Sequence, residues 1–182
     1  MATVLGVVLC GGTSSRMGRD KAKIELASGM NFLEHAVERL KPVCDEVCLA
    51  GRSHWNDSLV ALPDPTPNRG PIFGVLEAIR YAMQRHHACL ITPVDMPHLT
   101  CHDLQKLVSG WQTDDRLTYA VSQPDQKVQP LVGVYPIHLH DSIAQHATFD
   151  ASLTRWIKSQ PATVIALEES HCQNINHPED LI

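Results

Sequence analysis

The sequence has no apolar run approaching the roughly 20 residues that a membrane-spanning helix needs. It also has no basic excess. Its 15 Lys and Arg stand against 20 Asp and Glu, for a formal net charge of −5 with the 11 histidines neutral. Without a basic face, neither nucleic acid nor an anionic membrane surface is an expected partner. No basic segment precedes the first apolar stretch, MATVLGVVLC, so that stretch reads as a strand and not as a signal peptide. There is no internal repeat, no low-complexity tract and no clear domain break. The 182 residues therefore read as one domain, 1–182, with enough hydrophobic content (43%) for a full core.

The six cysteines lack a zinc-site pattern. Cys44 and Cys48 are four apart and no second pair follows at finger spacing. His86, His87 and Cys89 fall where a helix ends and a strand begins, which reads as a solvated helix terminus. Most cysteines lie within apolar runs, as small core residues of a reducing, cytoplasmic setting would.

What the chain does have is alternation. Residues 3–10 are almost unbroken apolar, as in a central parallel strand buried on both faces. Phe32, Leu33, Ala36, Val37 and Leu40 share a helical face, Asn31 with Glu34 predicts its capping box, and Pro42 marks its exit. A strand over 46–50 and a proline-rich loop over 63–71 follow. Val75, Leu76, Ile79, Ala82 and Met83 then mark a second helix. A strand over 88–94 ends at Asp95, and Thr100 with Asp103 caps a third helix through Leu104, Leu107 and Val108. Strands are expected at 117–122, 131–135 and 162–167, helices at 141–147 and 152–159, and a short terminal helix from Pro178. Repeated strand–helix units predict an α/β fold, with a mainly parallel sheet and helices on both faces.

In such a sheet, ligands gather beyond the carboxyl ends of the strands. Residues 9–21, LCGGTSSRMGRDK, lie at such an end. Gly11 and Gly12 allow a sharp turn and close approach of backbone N–H groups, Arg16 offers a planar fork and Lys21 a point charge. The combination suits a polyphosphate. Neither GxxxxGK[ST] nor GxGxxG is present. Asp95, between Pro93 and Pro97, either ends the strand and caps a turn or holds Mg²⁺ against phosphates. Cys10 has no activating histidine evident in sequence and does not read as a nucleophile.

Residues 9–21 resemble the signature LxGGxSxRMGxDK of nucleotidyltransferases. The double glycine and the Asp-Lys ending are similar to those of the molybdenum cofactor guanylyltransferase (MobA) family. NRGPIFGV (68–75), TPVDMP (92–97), QPLVGVY (129–135) and NINHPEDL (174–181) resemble later family segments in the same order. The resemblance implies a three-layer α/β/α sandwich with a Rossmann-like, mostly parallel sheet of the nucleotide-diphospho-sugar transferase type. It implies a nucleotide-binding half over about 1–100 and an acceptor half over about 101–182. The expected reaction is transfer of GMP from GTP to molybdopterin, with Mg²⁺ as cofactor and pyrophosphate as leaving group. Molybdoenzyme-maturation proteins are expected as further partners.

By that resemblance Arg16, Lys21 and Asp95 are catalytic and Asp95 is the metal ligand. Leu9, Cys10, Gly11, Gly12, Asp64, Gly70 and Gly74 join them in binding nucleotide, and Asn174 and Asn176 meet the acceptor. Taken without it, Asp64 is a turn residue and Asn176 a helix cap. Three positions depart from the family pattern. Cys10 replaces a more usual Ala, Gly133 stands where Ala is common, and VCLAGR replaces a VNAN-like strand end, so Leu49 or Ala50 takes the place of a nucleotide-contacting Asn. The alternatives are a cytidylyltransferase for molybdopterin, a sugar-phosphate nucleotidyltransferase, or a non-catalytic nucleotide or pterin binder.

Overall fold

The computed structural model describes residues 2–11, 20–26, 28–51, 58–64 and 69–176. Among these, seven strands form one sheet: β1 (Val4–Leu9), β2 (Glu46–Ala50), β3 (Val60–Leu62), β4 (Ala88–Pro93), β5 (Leu117–Gln123), β6 (Lys127–Pro136) and β7 (Ala162–Glu168). Their order is β3-β2-β1-β4-β6-β5-β7. All neighbours run parallel except β6, which is antiparallel to both β4 and β5.

Helices cover both faces. Val4, Val8 and Leu49 face α1 (Phe32–Leu40) and α3 (Cys101–Asp114) in one apolar cluster. Leu5, Val7 and Cys48 face α2 (Pro71–Ala82), α4 (His140–Ala147) and α5 (Leu153–Lys158) in the other. The two-residue period of β1 thus feeds both cores, and each fully buried Leu, Val or Ile contributes about 1.5–3 kcal/mol. This is the expected three-layer arrangement.

Both capping boxes form. Asn31 accepts from the Glu34 N–H at 2.9 Å and Thr100 from the Asp103 N–H at 3.1 Å, and each acid returns a bond to its cap. Helix α2 begins at Pro71, earlier than its apolar periodicity indicates, because proline at a first helical position has no N–H to lose. Two strand features differ from the sequence reading. β3 is an added three-residue edge strand, and β6 begins at Lys127. The terminal helix expected from Pro178 lies outside the described residues.

The described cysteines are free thiols, three buried and three half-buried. Burial pushes Cys44 and Cys48 up to about 12, so both stay protonated at neutral pH. Next to the predicted helix terminus, His86 Nε2 lies 3.1 Å from Glu46 Oε2, which also lowers the Glu46 carboxyl. No described helix is long and apolar enough to cross a membrane.

Candidate active site

Beyond the carboxyl ends of β1 and β4 lies a cavity of about 690 Å³. Leu9, Cys10 and Gly11 bring the end of β1 to it, Asp64 the segment after β3, and Gly70, Pro71 and Gly74 the first turn of α2. Lys21 and Asp95 line it as well, and Asn174 stands at its edge. Of the residues singled out in sequence, Gly12 and Arg16 lie outside the described residues. Asn176 lines a second cavity of about 490 Å³, which shares Gln129 and Asn174 with the first.

The β1 wall is built from backbone. Cys10 N–H donates to the Ala50 carbonyl at 2.8 Å, which carries the β1–β2 ladder one step past the strand. Gly51 then turns with φ of +88°, and a Cβ there would sit 2.7 Å from the N and Cα of Gly11. The two strand ends can pass this closely only because Gly51 has no side chain. Leu49 and Ala50 are fully buried. Among the described residues of the strand end that departs from the family pattern, Gly51 lines the cavity. At the α2 wall, a Cβ on Gly74 would lie 3.0 Å from Leu9 Cδ2, so glycine here lets the helix meet β1. The first turn of a 12-residue helix also presents unpaired N–H groups and a partial positive charge to the cavity.

Lys21 opens a 3₁₀ turn, Lys21–Lys23. Asp20 caps it, accepting from the Ala22 N–H at 3.1 Å, and buried Ala22 anchors it in the core. From this base Lys21 Nζ donates to Asp95 Oδ2 at 2.9 Å and to Asn176 Oδ1 at 2.8 Å. Two of the ammonium's three donors are so occupied. Asp95 is fixed by its neighbours: Val94 N–H donates to the Leu9 carbonyl at 3.2 Å, and the Asp95 carbonyl accepts from Ile175 N–H at 2.9 Å. The segment carrying Asn174 and Asn176 is thereby docked on the end of β4.

Gln129, Pro130 and Leu131 were visible in sequence only as part of a motif. In the structure they line the first cavity because the β5–β6 register jumps. Tyr119 pairs with Gly133 but Ala120 pairs with Gln129, so the residues between bulge out of the ladder. Tyr135 donates its hydroxyl to the Pro130 carbonyl and braces the bulge from the core, where its ring stacks on Trp156. Gly133 is more than a minor departure here, since a Cβ would lie 2.6 Å from the Thr118 carbonyl oxygen. Gln129 is buried and donates to Ser122 Oγ at 3.3 Å, forming part of the wall between the cavities.

Asp95 provides hard oxygen atoms, and only Oδ2 is engaged by Lys21. That leaves acceptor capacity for a divalent cation, which the amide oxygens of Asn174 and Asn176 could supplement. Among the described residues no group of three or more His, Cys, Asp or Glu gathers at one point. A hard divalent cation can be held by one or two carboxylates and complete its shell with water and phosphate, a demand that Asp95 can meet.

A sheet-end cavity with a backbone wall, opposed by a carboxylate and an ammonium and joined to a second polar cavity, is the layout of a nucleotidyltransferase. Residues 6–164 match the family model described as MobA-like NTP transferase domain, and the chain belongs to that family. A probable molybdenum cofactor guanylyltransferase of Rhodopirellula baltica is 39% identical over 189 residues, covering 98% of this chain and 90% of that one. The fold is similar to that of molybdopterin-guanine dinucleotide biosynthesis protein A from Archaeoglobus fulgidus, with TM-score 0.76, 20% identity, and 97% and 94% of the two chains covered. It is also similar to a Mycobacterium tuberculosis protein solved in complex with manganese, with TM-score 0.70, 13% identity, and 92% and 89% covered.

Proposed function

We propose that the protein is a molybdenum cofactor guanylyltransferase that transfers GMP from GTP to the terminal phosphate of molybdopterin. The observation that carries this reading is the Lys21–Asp95–Asn176 cluster at the junction of two adjoining cavities, one suited to a nucleotide and one to an acceptor. A phosphate oxygen of the acceptor attacks the α-phosphorus of GTP, the bond from that phosphorus to the bridging oxygen of the β-phosphate breaks, and pyrophosphate leaves. The attacking phosphate is already ionised at neutral pH, so alignment and charge neutralisation provide most of the catalysis.

Each residue has one task in this scheme. The Gly11 and Gly12 backbone meets the nucleotide along the edge formed by Leu9 and Cys10. Asp64, Gly70 and Gly74 shape the nucleotide cavity from the other side. Lys21 directs its remaining donor at the α-phosphate, and Arg16 grips the β- and γ-phosphates that depart. Asp95 holds Mg²⁺, which when bound neutralises phosphate charge. Asn174 and Asn176 orient the acceptor. On this reading residues 1–100 chiefly hold the nucleotide and residues 101–182 the acceptor, with the glutamine-led bulge of β6 between them.

The test is pyrophosphate release with Mg²⁺ and molybdopterin across GTP, CTP, ATP and UTP, with mass analysis of the product. Preference for GTP and a guanine dinucleotide product are expected. The end of β2 gives the cytidylyltransferase reading its foothold, since Leu49 and Ala50 stand in place of a nucleotide-contacting Asn and are buried. A strong preference for CTP would move the assignment to it, and GTP binding without turnover would leave a non-catalytic binder.

A further inference from the structure

We propose that Arg39, on α1, is a positioning residue for Asp95. Its guanidinium fastens the turn that follows β4 and so sets where the carboxylate stands. The proposal rests on the reading of Asp95 as the residue that holds the divalent cation.

Arg39 belongs to the buried face of α1, seven residues after Phe32 and three after Ala36, and is only 8% exposed. Hydrophobic neighbours surround that face. Among the described residues Arg39 forms no ion pair. Burial lowers its pKa to about 10, while the charge of Asp103 works in the opposite direction, so it stays protonated at neutral pH. A buried guanidinium without a carboxylate against it is costly, and a hydrophobe of similar volume often packs there at no loss. What Arg39 adds is therefore to be sought in what it binds.

It binds two backbone carbonyls. Nη1 donates to Met96 O at 2.8 Å and to Leu99 O at 2.5 Å. Both lie in the turn immediately after Asp95. That turn's own closure is weak, since Leu99 N–H reaches Met96 O only at 3.4 Å, and Pro97 brings no N–H at all. Upstream, Asp95 is held by the Val94–Leu9 and Ile175–Asp95 backbone bonds. Downstream, Arg39 supplies the constraint from a side chain 57 residues away from Met96. Both bonds leave one nitrogen whose two hydrogens lie fixed in the guanidinium plane, so the two carbonyls are held in a set relation that a freely rotating ammonium does not impose. A displacement of about 1 Å at such a group can cost about 100-fold in rate.

The experiment compares Arg39→Met, Arg39→Lys and Asp95→Asn with the parent protein. Mn²⁺ binding in the presence of GTP is read from the paramagnetic resonance signal of free Mn²⁺, well below each thermal midpoint. Amide exchange over residues 94–99, and kcat and KM for GTP, are measured alongside. In Arg39→Met, Mn²⁺ affinity is expected to weaken about tenfold and kcat to fall similarly, with KM for GTP within about twofold and faster exchange at 96–99. Arg39→Lys should fall between, and it carries the same comparison if the methionine variant does not fold. Unchanged Mn²⁺ affinity in the Arg39 variants while Asp95→Asn loses it overturns the proposal. Unchanged affinity in Asp95→Asn as well removes the metal reading beneath it.

Discussion

Lys21 Nζ lies 2.9 Å from Asp95 Oδ2 although the two residues are 74 positions apart, and their side chains are 17% and 19% exposed. The pair joins the segment after β1 to the end of β4 where the first cavity opens. Replacing Lys21 by Met or Asp95 by Asn should lower kcat by about 10²–10³-fold, the scale seen when one preorganised electrostatic group is removed. Pyrophosphate release measures this. Circular dichroism should show the fold retained, and normal turnover in either folded variant would remove that residue from the mechanism.

Gly51→Ala should impair both stability and nucleotide binding. The new Cβ would stand 2.7 Å from the Gly11 backbone, and φ at +88° is unfavourable for alanine. A loss of about 1–3 kcal/mol is expected from backbone strain alone. Urea denaturation reads the first effect and calorimetric titration with GTP the second. A variant matching the parent in both would show that the close passage of these strand ends is not needed.

Asn174→Ala should raise KM for the acceptor by about 2–10-fold, the worth of one net hydrogen bond. Affinity for GTP alone should stay within about twofold. Asn174 borders both cavities, whereas its neighbour Asn176 also binds Lys21, so Asn176→Ala should lower kcat in addition. Steady-state kinetics with each substrate varied in turn separates the two outcomes.

Acid stability should depend on Asp103. Burial alone would raise its pKa, but the Thr100 hydroxyl and N–H, with His171 close by, more than offset this and hold it below its ordinary value. His171 Nδ1 lies 2.9 Å from Asp103 Oδ2 without the alignment of a hydrogen bond. A depressed carboxyl stabilises fully above its unfolded pKa of about 3.9, and that contribution is lost as pH falls through the lower folded value. The urea midpoint should therefore drop between pH 5 and acid pH more steeply in the parent than in Asp103→Asn, which keeps a capping oxygen. Equal slopes would exclude Asp103 as a source of the acid lability.

Much of the fold could be read from periodicity. The apolar run of β1, the face of α1 and the two capping boxes are local signals, and each has its counterpart in the structure. β3 escaped because three residues at a sheet edge, with Val60 41% exposed, carry too little pattern. The early start of β6 was hidden because Lys127 and Gln129, though paired with β5, are polar, and Pro130 falls in the bulge that follows them. At the site, Lys21, Asp95 and Asn176 could be matched to family segments, but no spacing predicts a contact between residues 155 apart. Arg39 was overlooked although its position seven after Phe32 places it on the apolar face of α1. A charge there is the signal that could have found it.

The bond from Ile175 N–H to the Asp95 carbonyl has a consequence for biosynthesis. While the chain is being translated, the strands that shape the first cavity leave the ribosome well before the asparagine that accepts a hydrogen bond from Lys21. A nascent polypeptide stalled before residue 176 would carry that cavity without the long-range contact that ties Lys21 to Asn176.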